Sequence, residues 1–241
     1  MRQLQSNQLE ISVYGTNACA EHALAQALAA LSLDENGVGW EDLGIRDPKL
    51  GELQKQYHYM RPSLFHSPYE AAAAFMIGHR ISIAQARKLR QQIAKDYGQE
   101  FIIDDQSFFA FPRPQELLVL NDYPGLNQTK IERLDGTAQA ALDGWLDRKN
   151  LHKLDEASAI AKLETLPGVG EFFSQGILGR GAGRADGFTH DDLTYHAIGL
   201  RYGLGKEPND EQILKIAELW QPFRLWAVVL LHVWLRESGN L

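Results

Sequence analysis

Leu166-Pro167-Gly168-Val169-Gly170 joins two segments of helical pattern, and an acidic pair, Asp191-Asp192, follows twenty-two residues after Gly170. Pro167 stops the first helix, and the two glycines allow a tight turn with close backbone approach. The second helix then opens at Gly170, with free N–H groups and the positive end of its dipole pointing outward. That is an anion site made of main chain alone. A backbone grip for phosphate, followed at a set distance by a carboxylate, points to chemistry on a nucleic acid.

The stretch from Leu163 to Asp192 resembles the helix-hairpin-helix DNA glycosylase superfamily, whose pattern is L-P-G-h-G and then an aspartate opening a later helix. Within it the chain is most similar to the alkylation-repair branch, 3-methyladenine DNA glycosylase II. Four further blocks carry the likeness: S-P-Y-E-A-A-A-A-F-M-I-G-H-R-I-S-I-A-Q-A-R-K-L from Ser67, F-P-R-P from Phe111, Y-P-G-L-N-Q-T-K from Tyr123, and W-Q-P-F-R-L-W-A from Trp220. Together they span roughly residues 60 to 240. The resemblance implies an all-α, two-lobed fold with a DNA-facing cleft. The central lobe would cover 66–187, and the second would combine 1–65 with 188–241. It also implies double-stranded DNA with damaged bases as partner, a monomer, and excision of 3-methyladenine or 7-methylguanine type purines by hydrolysis. Related lesions, oxidised or mismatched, and a damage-binding module without chemistry stay open as alternatives.

On this resemblance Asp192 is the catalytic residue. Base loss leaves positive charge on the sugar, and an anion beside C1′ stabilises it. A carboxylate at a helix N-terminus stays ionised, because the dipole and free N–H groups favour its charge. Asp191 is the runner-up and is read as a cap. Bifunctional members carry a lysine two positions after the second hairpin glycine, where its amine attacks C1′. Here that position is Phe172, so water becomes the nucleophile, and an electron-rich ring there favours cationic alkylated purines. One of Phe172 and Phe173 packs in the core, since helical neighbours point about 100° apart.

Other assignments follow from the same likeness. Gly168 and Gly170 bind DNA phosphate. His79 stands where the family has a glutamine, and Arg80 stands at the wedge position that fills the gap left by a flipped nucleotide. Whether Arg80 inserts, stacks or grips phosphate is open. Counting eight residues from Arg224 to the family's pocket aromatic lands on His232, with Trp234 two beyond. Both are pocket candidates, and a core role for His232 and this aromatic stripe competes. The carbonyls of Glu164, Leu166 and Val169 match those that hold a structural sodium or potassium ion in relatives. No cofactor is required.

The elements that position these residues read as helices. Asn17 or Thr16 caps a helix through A-E-H-A-L-A-Q-A-L-A-A-L. Ser67-Pro68-Tyr69-Glu70 and Ser82 to Gln85 are capping boxes. Further helices are expected over Gln128 to Leu142, Glu156 to Thr165, Glu171 to Leu178, Asp192 to Tyr202, Glu211 to Trp220 and Pro222 to Arg236. Loops are expected at 33–48, 103–114, 121–127 and 181–191, and one short strand at Glu10 to Tyr14.

Composition sets the remaining bounds. A chain of 241 residues with 44% apolar side chains can bury a sizeable core. One cysteine, Cys19, rules out an internal disulfide and an iron–sulfur cluster of four cysteines. No run is long enough to cross a bilayer, and M-R-Q-L-Q-S-N-Q lacks the apolar core of a leader, so a cytoplasmic protein is expected. The net charge of −7 opposes general nucleic-acid binding, but it is unevenly spread. Residues 1–52 hold eight acidic and three basic side chains. His79 to Lys95 holds five basic residues (Arg80, Arg87, Lys88, Arg90, Lys95) and no acidic one. Arg87, Lys88, Arg90 and Lys95 share one helix side, either a solvated face or a flank for DNA phosphates.

Overall fold

The computed structural model describes residues 2–4, 8–13, 19–205 and 208–239. Two short strands, β1 (Arg2–Gln3) and β2 (Leu9–Glu10), pair antiparallel and precede α1 (Ala20–Ala30). The cap expected at Asn17 or Thr16 and the far end of the Glu10–Tyr14 strand lie outside the described residues. Then come α2 (Leu43–Arg46), α3 (Pro48–Gln56), α4 (Pro68–Gly78) and α5 (Ile83–Tyr97). A hairpin of β3 (Glu100–Ile103) and β4 (Gln106–Phe109) follows α5. The central helices are α6 (Pro114–Leu117), α7 (Gln128–Leu142), α8 (Arg148–His152), α9 (Glu156–Leu163) and α10 (Glu171–Gly176). A π-helical turn, Ile177–Gly181, extends α10, and α11 (Asp192–Tyr202), α12 (Asp210–Glu218) and α13 (Arg224–Glu237) end the chain.

The fold is all-α and two-lobed, with two separate hydrophobic cores. The first gathers Ala72, Met76, Ile77 and Ile93 with Leu117, Leu134, Leu163, Ile177 and Leu178. The second gathers Leu43, Leu50 and Leu53 with Ile198, Ile213, Trp220, Phe223 and Leu231. Near the second core, the carboxylate of buried Asp47 caps α3 and accepts from Trp220 Nε1 at 2.8 Å and from the Tyr202 hydroxyl. An Asp47→Ala variant strands two buried donors and a cap. It should lose about 3 kcal/mol of stability, read as a lowered denaturant midpoint.

Local chemistry explains where the elements agree with the sequence and where they do not. Ser82 and Gln85 form the full reciprocal box that opens α5. Ser67 caps α4, but the Glu70 carboxylate turns instead to His66 Nδ1 at 3.1 Å and Arg90 Nη2 at 3.7 Å. Residues 103–114 are not all loop. Asp104 and Asp105 both adopt positive φ, 50° and 58°, closing a two-residue turn between strands. Asp-Asp is a weaker turn signal than Asn-Gly, so the strands it joins leave little mark in the sequence. Residues 33–48 likewise contain α2. The helix expected to run to Leu178 changes pitch at Gly176, where α10 crowds α4. A methyl on Gly176 would meet Phe75 at 2.6 Å, and one on Gly181 would meet Pro68 Cα at 2.8 Å. Among the described residues no helix is long and apolar enough to cross a membrane.

Candidate nucleic-acid interface and active site

The hairpin turn takes its shape from one left-handed residue. Gly168 has φ +81°, and a side chain there would also strike the Nε end of Arg133. Gly170 is the N-cap of α10 in extended conformation and faces open space. Val169 N donates to Leu166 O at 3.0 Å, which closes the turn.

Gly168, Gly170, Phe172, His79 and Arg80 all line one groove of about 1440 Å³. Phe172 is 47% exposed, whereas Phe173 packs against the first core. Both rings line the groove, Phe172 as the more exposed of the two and Phe173 as the one that also rests on the core. Phe172 sits 6.5 Å from Phe75 and 5.8 Å from Phe173, centroid to centroid, so its ring has an aromatic backing. The β3–β4 hairpin and the side of α5 bearing Arg87 and Lys88 complete the groove wall. Arg90 belongs only in part to that basic flank, because it lies over the Phe65 ring and beside Glu70.

The turn carrying His79 and Arg80 is held from below. Lys130, in the first turn of α7, buries its ammonium and donates to Ile77 O at 2.7 Å, satisfying a carbonyl at the end of α4. Burial pushes the Lys130 pKa down. Arg80 adopts φ +57°, a conformation few non-glycine residues take. His79 packs edge-on against Phe173 and lies 3.2 Å from Arg133 Nη1. Burial first, then the cations Arg133, Arg80 and Lys130, lower its pKa. Sequence reasoning does not single out Arg133 or Lys130. Both sit at the start of a helix whose pattern shows only amphipathy, and their partners lie about fifty residues away.

The acidic pair belongs to the other lobe. Asp191 is the N-cap of α11: Oδ1 accepts from Thr194 N at 2.9 Å, and Oδ2 accepts from the hydroxyls of Thr194 and Thr189 at 2.7 and 2.8 Å. Asp192 is the first helical residue, exposed, with its carboxylate at the positive end of the α11 dipole. The crossover that delivers the pair is pinned at both ends. Arg184 donates to Leu151 O and Leu154 O in the first lobe. Asp186 receives Arg224 Nε at 2.8 Å and Nη2 at 3.0 Å in the second. The arginine of W-Q-P-F-R thus anchors the approach to Asp192.

His232 and Trp234 lie outside the groove lining. The Thr194 hydroxyl spends its single proton on Asp191, so its contact with His232 Nε2 at 3.1 Å requires His232 to donate. Burial, with Arg180 and Arg236, lowers the His232 pKa, and the nearby Asp191 charge only partly opposes this. Trp234 is covered by the Arg201 guanidinium, 5.3 Å from its ring centroid. His232 is thus hydrogen-bonded to Thr194, whose hydroxyl and N–H hold the cap of α11. The unfolded chain binds a proton to this histidine before the folded one does. Stability should accordingly fall as pH drops below about 6.5. His232→Gln, which keeps a donor but does not titrate, should flatten that decline in melts between pH 5 and 7.5.

No family model matches the chain. The DNA-3-methyladenine glycosylase 2 of Escherichia coli (strain K12) is 32% identical over 174 residues, which is 70% of this chain and 58% of that protein. A 3-methyladenine DNA glycosylase from Archaeoglobus fulgidus superposes with a TM-score of 0.80 at 23% identity, over 95% of this chain and 79% of that one. The chain belongs to the helix-hairpin-helix DNA glycosylase superfamily. It is related to the 3-methyladenine glycosylase II proteins of that superfamily and spans a little under three fifths of the Escherichia coli relative, 58%. The superfamily fold also relates it to an 8-oxoguanine glycosylase/lyase of Clostridium acetobutylicum, solved with double-stranded DNA. That match has a TM-score of 0.73 and 17% identity over 92% of this chain and 78% of the other.

Proposed function

We propose that this protein is a monofunctional DNA glycosylase that excises alkylated purines from duplex DNA. The observation that carries this reading is Phe172: an exposed, aromatic-backed ring in the first turn after the hairpin, where bifunctional relatives hold a lysine. A ring face attracts the positive charge of 3-methyladenine or 7-methylguanine and gives a neutral base no such gain. With no amine at this position, water attacks C1′, the C1′–N bond breaks, and the base departs with the bonding pair. Asp192 stabilises the cationic sugar and accepts the water proton. The hairpin N–H groups at Gly168 and Gly170 hold the strand by its phosphates, and Arg80 stands where the flipped nucleotide leaves a gap.

A structural sodium or potassium ion fits the hairpin carbonyls of Glu164, Leu166 and Val169. They are neutral hard oxygens, and Glu164 is the C-cap of α9, where carbonyls lose their helical donors. Such an ion would stiffen the turn and take no part in bond cleavage.

Incubation with duplex DNA treated with a methylating agent tests the function, with chromatography of the released bases. Free methylated purine is the expected product. Release of oxidised purine from a matched substrate, without methylated purine, would reassign the lesion; binding without release of either would leave a damage-binding module. The abasic product should stay uncut until alkali is added. Strand cleavage without alkali, with borohydride trapping of the protein on DNA, would refute the monofunctional assignment.

A further inference from the structure

Arg133 lies on α7 where that helix meets both turns of the groove. A methyl on Gly136, on the same helix, would come 3.3 Å from Pro167 Cδ, so α7 backs directly onto the hairpin. The Arg133 side chain lies against that hairpin, its Nε 2.3 Å from where a methyl on Gly168 would stand. Its Nη1 reaches His79 Nδ1 at 3.2 Å. A guanidinium only donates, so Nδ1 accepts and His79 carries its proton on Nε2.

None of the ion pairs among the described residues includes Arg133. Its guanidinium therefore stands beside Gly168 with no carboxylate bound directly to it. Lys130 from the same helix and Arg80 from the wedge turn add to the positive field around His79, and Phe173 from α10 closes the remaining side. Three cations gathered around one imidazole favour an incoming anion. The guanidinium fork matches a phosphate in two parallel hydrogen bonds, which a contact to one imidazole nitrogen cannot equal.

We propose that Arg133 is a phosphate-binding residue of the hairpin and that, through His79, it links arrival of the DNA strand to the turn carrying Arg80. This rests on the glycosylase reading, which seats a phosphate at the hairpin. When the phosphate takes the fork, His79 Nδ1 loses its donor and gains a nearby anion. His79 is the neighbour in sequence of Arg80, whose backbone is left-handed in the free protein. Phosphate binding and release of the wedge turn then become one event, and each biases the other equally.

The test uses undamaged duplex, so no catalysis is needed. Binding is titrated against salt for the wild type, Arg133→Gln and Arg133→Lys. Removal of one phosphate contact should make the log–log salt slope shallower by about 0.9 in Arg133→Gln, with affinity about tenfold lower. Arg133→Lys keeps the charge and should keep the slope, so a packing defect alone cannot mimic the pattern. Histidine NMR titration supplies the second readout. The His79 pKa should rise when wild type binds duplex, and should already be raised in free Arg133→Gln, where a neighbouring cation is gone. An unchanged slope in Arg133→Gln would mean that Arg133 touches no phosphate. A His79 titration indifferent to DNA would break the link to the wedge turn. Wild type without duplex affinity would sink the glycosylase reading as well, whereas affinity with an unchanged slope sinks this proposal alone.

Discussion

Replacing Asp192 with asparagine should abolish base excision while leaving damaged-DNA binding within a few-fold of wild type. The substitution keeps the shape of the side chain and removes the charge that the proposed mechanism sets against the cationic sugar. Losses of about a hundred- to a thousandfold accompany removal of a single group aimed at transition-state charge, and a full charge should cost at least as much. Asp192 is exposed at the first position of α11 and caps nothing, so folding should be unaffected. Its neighbour makes the sharper control. Asp191 Oδ2 accepts from the Thr194 and Thr189 hydroxyls, which an amide NH2 cannot do, so Asp191→Asn should cost about 1 kcal/mol of stability and reduce excision only partly. Single-turnover rates on a lesion duplex, with binding measured in parallel, decide the matter. Full activity in Asp192→Asn with loss in Asp191→Asn would exchange the two assignments.

Gly170→Asp should separate folding from DNA binding in the other direction. No atom lies within 4 Å of where its side chain would begin, and the position is the N-cap of α10. Aspartate is a better N-cap than glycine by a few tenths of a kcal/mol, so the variant should melt at or slightly above the wild-type temperature. Yet the new carboxylate would stand at the proposed phosphate site of the hairpin. Affinity for lesion and undamaged duplexes should fall alike, by about a hundredfold, because no base is touched. Wild type itself should show a shallow salt dependence, a slope of about −2 to −4, since backbone donors and few side chains make the contacts. A Gly170→Asp protein with normal affinity would reduce the hairpin to a packing turn.

Parts of the molecule are legible in the chain because their cause is local. Asn127 caps α7, and Gln128–Leu142 carries an uninterrupted helical period; Asp191 caps α11, which ends at Gly203 in the left-handed conformation. Those boundaries depend on neighbours three or four residues apart, so residue types suffice to place them. The β3–β4 hairpin escapes such reading because alternation there is weak and Asp104-Asp105 can close a turn or begin a loop. The break in α10 escapes it because the Phe75 ring that packs on Gly176 lies a hundred residues upstream. Glu70 reads as half of a capping box, since sequence shows the spacing to Ser67 but not the competing His66 and Arg90.

The same division holds for the site. Residue type and spacing determined the hairpin and the position of the acidic pair, and the family resemblance marked Phe172 as standing where bifunctional members have an amine, because each belongs to one short segment. Tertiary structure alone decided that Phe172 rather than Phe173 is exposed. It also gave His232 to the Thr194–Asp191 cap, and it brought Arg133 between Gly168 and His79. Those outcomes depend on which helix packs against which, and a hydrogen bond or an ion pair between residues fifty apart leaves no period in the chain. Backbone chemistry is written locally; the environment of a charge is not, because it is made by whatever the fold brings near.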